Sequence, residues 1–276
     1  MVQNAFLFPL VAGLILALLG WARSREAGSR VAWAAALAWG LAYGLAYYAL
    51  KDGLPPWPPK EATHWLFYAM LLSIPVAASQ GRAGSVPHFV LGSALIGGFV
   101  WLASEPLRQY EWEGAHAWQV PAGIIGVAAL ALWGNSDLVR VRRTGVQVPG
   151  AFALTLGATA FALGQSTGGS ANLAGGIAAL GGLWCVLALV RSGKAVTYGA
   201  SLPFTLALTG LLLLGVGYAK TPLSSAILLA LAPQAIRIGW PVERRALGFL
   251  LSVLACAAVC AIAAYLSLAP PEPTWN

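Results

Sequence analysis

Apolar runs follow one another along almost the whole chain, from Ala5 to Leu268, each near the length a helix needs to cross a bilayer. That succession restricts the fold more than any other feature. In lipid the backbone must satisfy its own hydrogen bonds, which leaves helices and closed barrels. Runs of this length without strict alternation select helices. Only 9% of the 276 residues are charged, against roughly 25% in a soluble domain, too few to cover a water-facing surface. The expected fold is an all-α integral membrane protein, a bundle of about ten transmembrane helices.

The runs assign the helices to Ala5–Trp21, Val31–Leu50, Thr63–Ser79, Phe89–Ser104, Ala117–Gly134, Val148–Gln165, Ala171–Val190, Ser201–Tyr218, Pro222–Ile238 and Ala246–Leu268. Helices of this length use roughly 200 residues, leaving only loops and tails. Residues 1–276 are expected to be a single polytopic membrane domain, with halves 1–135 and 148–268. Five spans starting outside, then five starting inside, is the parity of an inverted repeat, although the halves share no residue match. The first run has no basic residues before it; Arg23, Arg25 and Arg30 follow it. It therefore reads as a retained helix rather than a cleaved signal.

Basic residues orient the bundle. With the N-terminus outside, inner loops hold Arg23, Arg25, Arg30, Arg82, Arg140, Arg142, Arg143, Arg191, Lys194, Arg237, Arg244 and Arg245. Outer segments hold only Lys51, Lys60, Arg108 and Lys220. This bias predicts both termini outside, in a cell membrane of the bacterial inner-membrane type. Acidic residues lean outward: Asp52, Glu61, Glu105, Glu111, Glu113 and Glu272 are outer, and Glu26, Asp137 and Glu243 inner. Trp57, Trp65, Trp101, Tyr110, Trp112 and Trp118 mark the outer boundary, and Trp21, Trp33, Trp133 and Trp240 the inner one. The net charge of +7 is thus explained by topology, and no nucleic-acid partner is expected. The bilayer is the expected partner.

Two Glu-x-x-His matches recur where chains enter the membrane from outside: Glu61 with His64, and Glu113 with His116. That spacing places both side chains on one helix face. Paired copies with further carboxylates, here Glu105 and also Asp52 and Glu111, form di-metal sites in bundles. Such donors suit zinc, iron or manganese. The competing account is solvated loop ends, with acidic side chains favourably placed at helix N-termini. No cofactor is required by the sequence; a transition metal is the one candidate.

Leu54-Pro-Pro-Trp-Pro-Pro59 reads as a stiff polyproline connector. Its alternative role is a docking strip for a partner membrane protein at 54–59. Gln165-Ser-Thr-Gly-Gly-Ser-Ala-Asn172 reads as an outer turn in which Ser170 or Asn172 caps a helix. Pro233 should kink the ninth helix and free a carbonyl, with Gln234 and Arg237 close by; Arg237 either snorkels to the inner interface or binds an anionic group. Polar residues able to reach a mid-membrane cavity are Gln119, Gln165, Asn172, Gln234 and Arg237. Cys185, Cys256 and Cys260 lie within helices and read as packing residues. The three His, at 64, 88 and 116, are expected in loops, and every acid in or beside a loop.

No Walker loop, dinucleotide fingerprint, HExxH motif or nucleophile elbow occurs, and no catalytic set is read. Three functions stay open. A small-molecule permease or exporter fits the size, the parity and the kinked second half. A non-catalytic subunit or scaffold fits the scarcity of buried coupling charges. An outer-face metal-binding protein or metal-dependent enzyme would rest on the two Glu-x-x-His pairs.

Overall fold

A computed structural model describes residues 2–22, 32–80, 85–141, 145–165, 168–190, 199–239 and 245–268. Every regular element among them is helical. The helices are α1 (Val2–Ala22), α2 (Ala32–Lys51), α3 (Ala62–Ala78), α4 (Ser85–Ala103), α5 (Glu105–Tyr110), α6 (His116–Val141), α7 (Gln147–Gly164), α8 (Gly168–Val190), α9 (Ser201–Tyr218), α10 (Leu223–Leu231) and α11 (Arg245–Ser267). A 3-10 segment, Ala232–Gly239, continues α10. Arg23, Arg25, Arg30, Glu26, Arg82, Arg142, Arg143, Ser166, Thr167, Arg191, Lys194, Trp240, Glu243, Arg244 and Glu272 lie outside the described residues.

Among the described residues six helices are long and apolar enough to cross a membrane: α4, α6, α7, α8, α9 and α11. The apolar stretches Phe6–Leu16, Ala62–Ala78 and Leu223–Gly239 are shorter. Helix α2 is longer than α4, α7 and α9 but carries Trp33, Trp39, Tyr43, Tyr47 and Tyr48. Six of the expected ten spans thus meet both requirements.

Prolines mark several starts. Pro87, Pro149 and Pro203 are each the third residue of α4, α7 and α9. First-turn N–H groups have no partner within the helix, so proline costs nothing there. Helix α4 accordingly begins ahead of the expected Phe89. Pro233 behaves differently. It lies inside the expected ninth helix, where a missing N–H breaks the ladder, and the chain tightens into the 3-10 segment.

Helix α9 is the hub. It is apolar almost all round and buried on every side except near its last turn, as expected of a helix without a solvent face. It packs on α2, α3, α4, α6, α7, α8 and α10. Helices α7 and α8 form a hairpin that also meets α1 and α11. Trp39 of α2, Phe152 of α7 and Phe204 of α9 form a dry aromatic junction. The Phe152 and Phe204 rings stack 3.7 Å apart, and both meet Trp39 edge-on at 5.6 and 6.0 Å.

The outer end, named from the basic-residue count, carries the loop before α3, helix α5 and the α9–α10 turn. The proline strip is fastened there: Tyr68 Oη donates to the Pro55 carbonyl at 2.9 Å, and Trp57 meets the Tyr68 ring at 5.4 Å. Helix α5, which lies between two of the expected spans, lays Leu107 against Gly217 at the outer end of α9.

Candidate functional site

A column of hydroxyls on α9 organises the polar interior. Ser201, Thr205 and Thr209 recur every four residues, so they share one helix face, and all three are buried. Thr205 and Thr209 each donate to the carbonyl four residues back, at 2.7 Å. Their protons are committed to the helix, and their oxygens stay available as acceptors.

Partners arrive from three other elements. Asn135 of α6 donates from Nδ2 to Thr205 Oγ1 at 2.9 Å, and Gln234 donates from Nε2 to Asn135 Oδ1 at 2.8 Å. Ser136 Oγ donates to Ser201 Oγ at 3.3 Å. Ser201 Oγ and the Gly199 N–H both donate to Gln80 Oε1, at 3.2 and 3.0 Å. The result is an uncharged polar layer joining the end of α3, the inner part of α6, the start of α9 and the 3-10 segment. At its edge Arg237 Nη2 meets Asp137 Oδ2 at 2.8 Å and the Gly134 carbonyl at 3.4 Å. These two charged side chains are 40% and 41% exposed, so the ion pair lies at a rim and not in the core.

Two glycines make the layer fit. A Cβ on Gly134 would fall 2.5–2.6 Å from the Gln234 amide, so only glycine lets that amide reach Asn135. A Cβ on Gly239 would collide with the Gly248 carbonyl and Ser252; its absence lets the 3-10 segment lie directly on α11. There Ser252 Oγ donates to the Ile236 carbonyl at 2.7 Å, a side-chain partner for backbone in the irregular segment after Pro233.

Beyond Thr205 the column reaches a cavity of about 270 Å³ between α6, α9 and α10. Thr209 is part of its wall, with Val120, Ile124, Val127, Leu212, Leu213, Val216, Ile227 and Ala230. His116 and Gln119, on the first turn of α6, supply polar groups at the outer end. Nearby on the outer surface, Lys220 Nζ pairs with Glu111 Oε2 at 3.1 Å, tying the α9–α10 turn to the loop after α5. Arg108 lies 3.7 Å over the Trp101 ring, which itself meets Trp118.

The structure distributes the expected site residues unevenly. Gln234 and Arg237 both belong to the polar layer and its rim, and Gln119 lines the cavity. Gln165 ends α7 as an exposed C-cap, and Asn172 is half-buried near the start of α8; neither lines the cavity. Ser170 and Asn172 fall within α8, which starts at Gly168, so neither is its N-cap.

His64 is buried, stands edge-on to Tyr47, and has Nε2 3.7 Å from Glu61 Oε2. His116 lines the cavity, Glu113 is exposed, and Glu105 accepts from Gln109 at 3.2 Å. Among the described residues no three His, Cys, Asp or Glu side chains come close enough to hold a metal ion. The expectation that all three His lie in loops is overturned: each is helical, and His64 and His88 are buried. Asp137 likewise lies within α6, not in a loop, because α6 runs seven residues past the expected Gly134.

Sequence reading missed Asn135, Asp137, Ser201, Thr205, Thr209 and Gln80. Asn135-Ser136-Asp137 reads as a loop because its polar groups have no visible partners along the chain. The Ser-x-x-x-Thr-x-x-x-Thr spacing on α9 was the available signal: three hydroxyls on one face of an otherwise apolar run.

No family model matches the chain, and no curated protein or solved structure is similar to it at a significant level. The fold and site define a class: among the described residues the regular structure is all helical, with six candidate membrane-spanning helices and a polar layer set against an apolar cavity.

Proposed function

We propose that this chain is a small-molecule permease or exporter, crossing a membrane of the bacterial inner-membrane type about ten times with both termini outside. One observation carries the reading. The α9 hydroxyl column runs without a break from the inner polar layer to a cavity in the outer half of the bundle. Polar side chains inside a membrane bundle are costly and tend to mark pathways. Here the layer is uncharged, so its hydrogen bonds can be exchanged for bonds to water or substrate. Each such bond contributes only about 0.6–2 kcal/mol in membrane bundles, which keeps opening within thermal reach. The 3-10 segment after Pro233 is the element that would move, since its ladder is already interrupted. Substrate enters the cavity between α6, α9 and α10, and release requires Gln234 to part from Asn135 and Arg237 from Asp137.

The test is site-directed thiol accessibility in membrane vesicles. In a background with Cys185, Cys256 and Cys260 replaced by Ala, Thr209→Cys should react with a small water-soluble methanethiosulfonate added outside. Thr205→Cys should react, more slowly, with reagent added inside. A Thr205→Cys thiol that stays unreactive from both sides rejects transport through this layer.

A second reading, a non-catalytic subunit, has its own observation. Leu54 and Trp57 remain 72% and 75% exposed on a loop otherwise held in place by Tyr68. That fixed apolar tip at 54–59 suits a partner membrane protein. A stoichiometric partner that is retained by the native chain and lost in Trp57→Ala would support it.

A further inference from the structure

We infer that the cavity between α6, α9 and α10 takes the tail of a free, single-chain amphiphile with an uncharged head, the head at His116 and Gln119. The inference rests on the permease reading only in making that amphiphile the transported substrate. The lining is polar at one end and apolar beyond it. His116 and Gln119 sit on the first turn of α6, beside Trp118, an exposed indole of the kind that settles at the headgroup level. From there the walls formed by α9 (Thr209–Val216) and α10 (Leu223–Ala230) run side by side for about 10 Å at 1.5 Å per residue. Among the described residues that line the cavity Thr209 is the one hydroxyl, and its proton is already donated to the Thr205 carbonyl; Ser225 on α10 turns away and donates to the Ala263 carbonyl. The depth of the cavity therefore asks for an alkyl chain, and the mouth for a group that exchanges hydrogen bonds with an imidazole and an amide. Among the described residues no Asp, Glu, Lys or Arg contributes to the lining, so a charged head would meet no counter-charge in it. The volume of about 270 Å³ falls just under the roughly 300–1,000 Å³ of ordinary ligand pockets. That volume suits a single alkyl chain.

The experiment uses the full chain in nanodiscs and a medium-chain fatty alcohol carrying a diazirine. After illumination, adducts should concentrate on residues 116–128 and 223–230 and disappear in the presence of excess unlabelled alcohol. Gly123→Leu provides the control variant. Gly123 lines the cavity, a Cβ there meets no atom within 4 Å, and leucine is the better helix former. The variant should keep its melting temperature and lose labelling by about tenfold, equivalent to about 1.4 kcal/mol. Labelling spread evenly over outward-facing residues such as Leu130, Val186 and Leu254, without competition, overturns the inference. Competition by a two-chain phospholipid but not by the alcohol overturns it in favour of a structural lipid. Competition by the fatty acid in preference to the alcohol overturns the uncharged head. None of these outcomes depends on thiol accessibility at Thr205, so failure here and failure of the permease reading are read separately.

Discussion

The two flanks of α9 are built on different physics. Toward α2 and α7, Phe204 stacks on Phe152 and both meet Trp39, with all three rings fully buried. Toward α6 and the 3-10 segment, Thr205 and Ser201 hold Asn135, Gln234 and Gln80 through hydrogen bonds. An aromatic junction has one good packing, and any displacement opens a void that costs energy in proportion to its size. A hydrogen-bonded layer has alternatives, because water or a ligand can replace each partner at modest net cost. The first flank fixes α9 in the bundle; the second is the side that can open.

The largest test breaks the fixed flank. Phe204→Ala should destabilise the protein by about 3–5 kcal/mol, measured by denaturant unfolding in detergent. A loss below about 1 kcal/mol would be the size expected of a surface change and would erase the contrast.

On the other flank, Asn135→Leu removes one partner each from Thr205 and Gln234. Leaving the Gln234 amide unpaired should cost about 1–3 kcal/mol, read in the same unfolding assay. A neutral result would mean that water already satisfies these groups.

A finer test uses the fit at Gly134. Gly134→Ala drives a methyl into the Gln234 amide, an overpacking cost of about 1–3 kcal/mol, offset by about 1 kcal/mol of improved helix propensity. The net loss should be near 1 kcal/mol on the same two scales. The double variant Gly134→Ala with Gln234→Ala should recover it. Additive losses in that double-mutant cycle would show that the two residues do not touch.

The smallest effect belongs to the rim. Arg237→Ala should change stability by no more than about 1 kcal/mol, since a partly exposed ion pair is screened by water and salt. Raising ionic strength should shrink even that difference. A larger, salt-insensitive loss would place the pair in the core with the polar layer.

The residues show where sequence reading succeeds and where it stops. Apolar runs located ten of the helices, because hydrophobic length is a local property. Ends were less legible where tertiary partners decide them. Helix α6 continues through Asn135, Ser136 and Asp137 because Thr205, Ser201 and Arg237 wait for them on other elements. Pro233 was legible as a break, since a missing N–H acts wherever the helix goes. Gln234 and Arg237 were singled out beside it, and the structure gives each a named partner. The Glu-x-x-His spacing is a local signal: it relates Glu61 to His64 and Glu113 to His116, each across the start of a helix, and says nothing about whether the two pairs meet.

By itself, then, the sequence determined the helical class and the spacing of its hydroxyls, prolines and aromatics, because backbone satisfaction and solvent preference act on neighbouring residues. Only the tertiary structure decided that α9 stands at the centre, that Asn135 and Gln234 close on Thr205 across a gap opened by Gly134, and that a cavity is left between α6, α9 and α10. Those outcomes depend on contacts between residues far apart in the chain, such as Trp39 with Phe204 and Gln80 with Ser201, set by how whole helices pack.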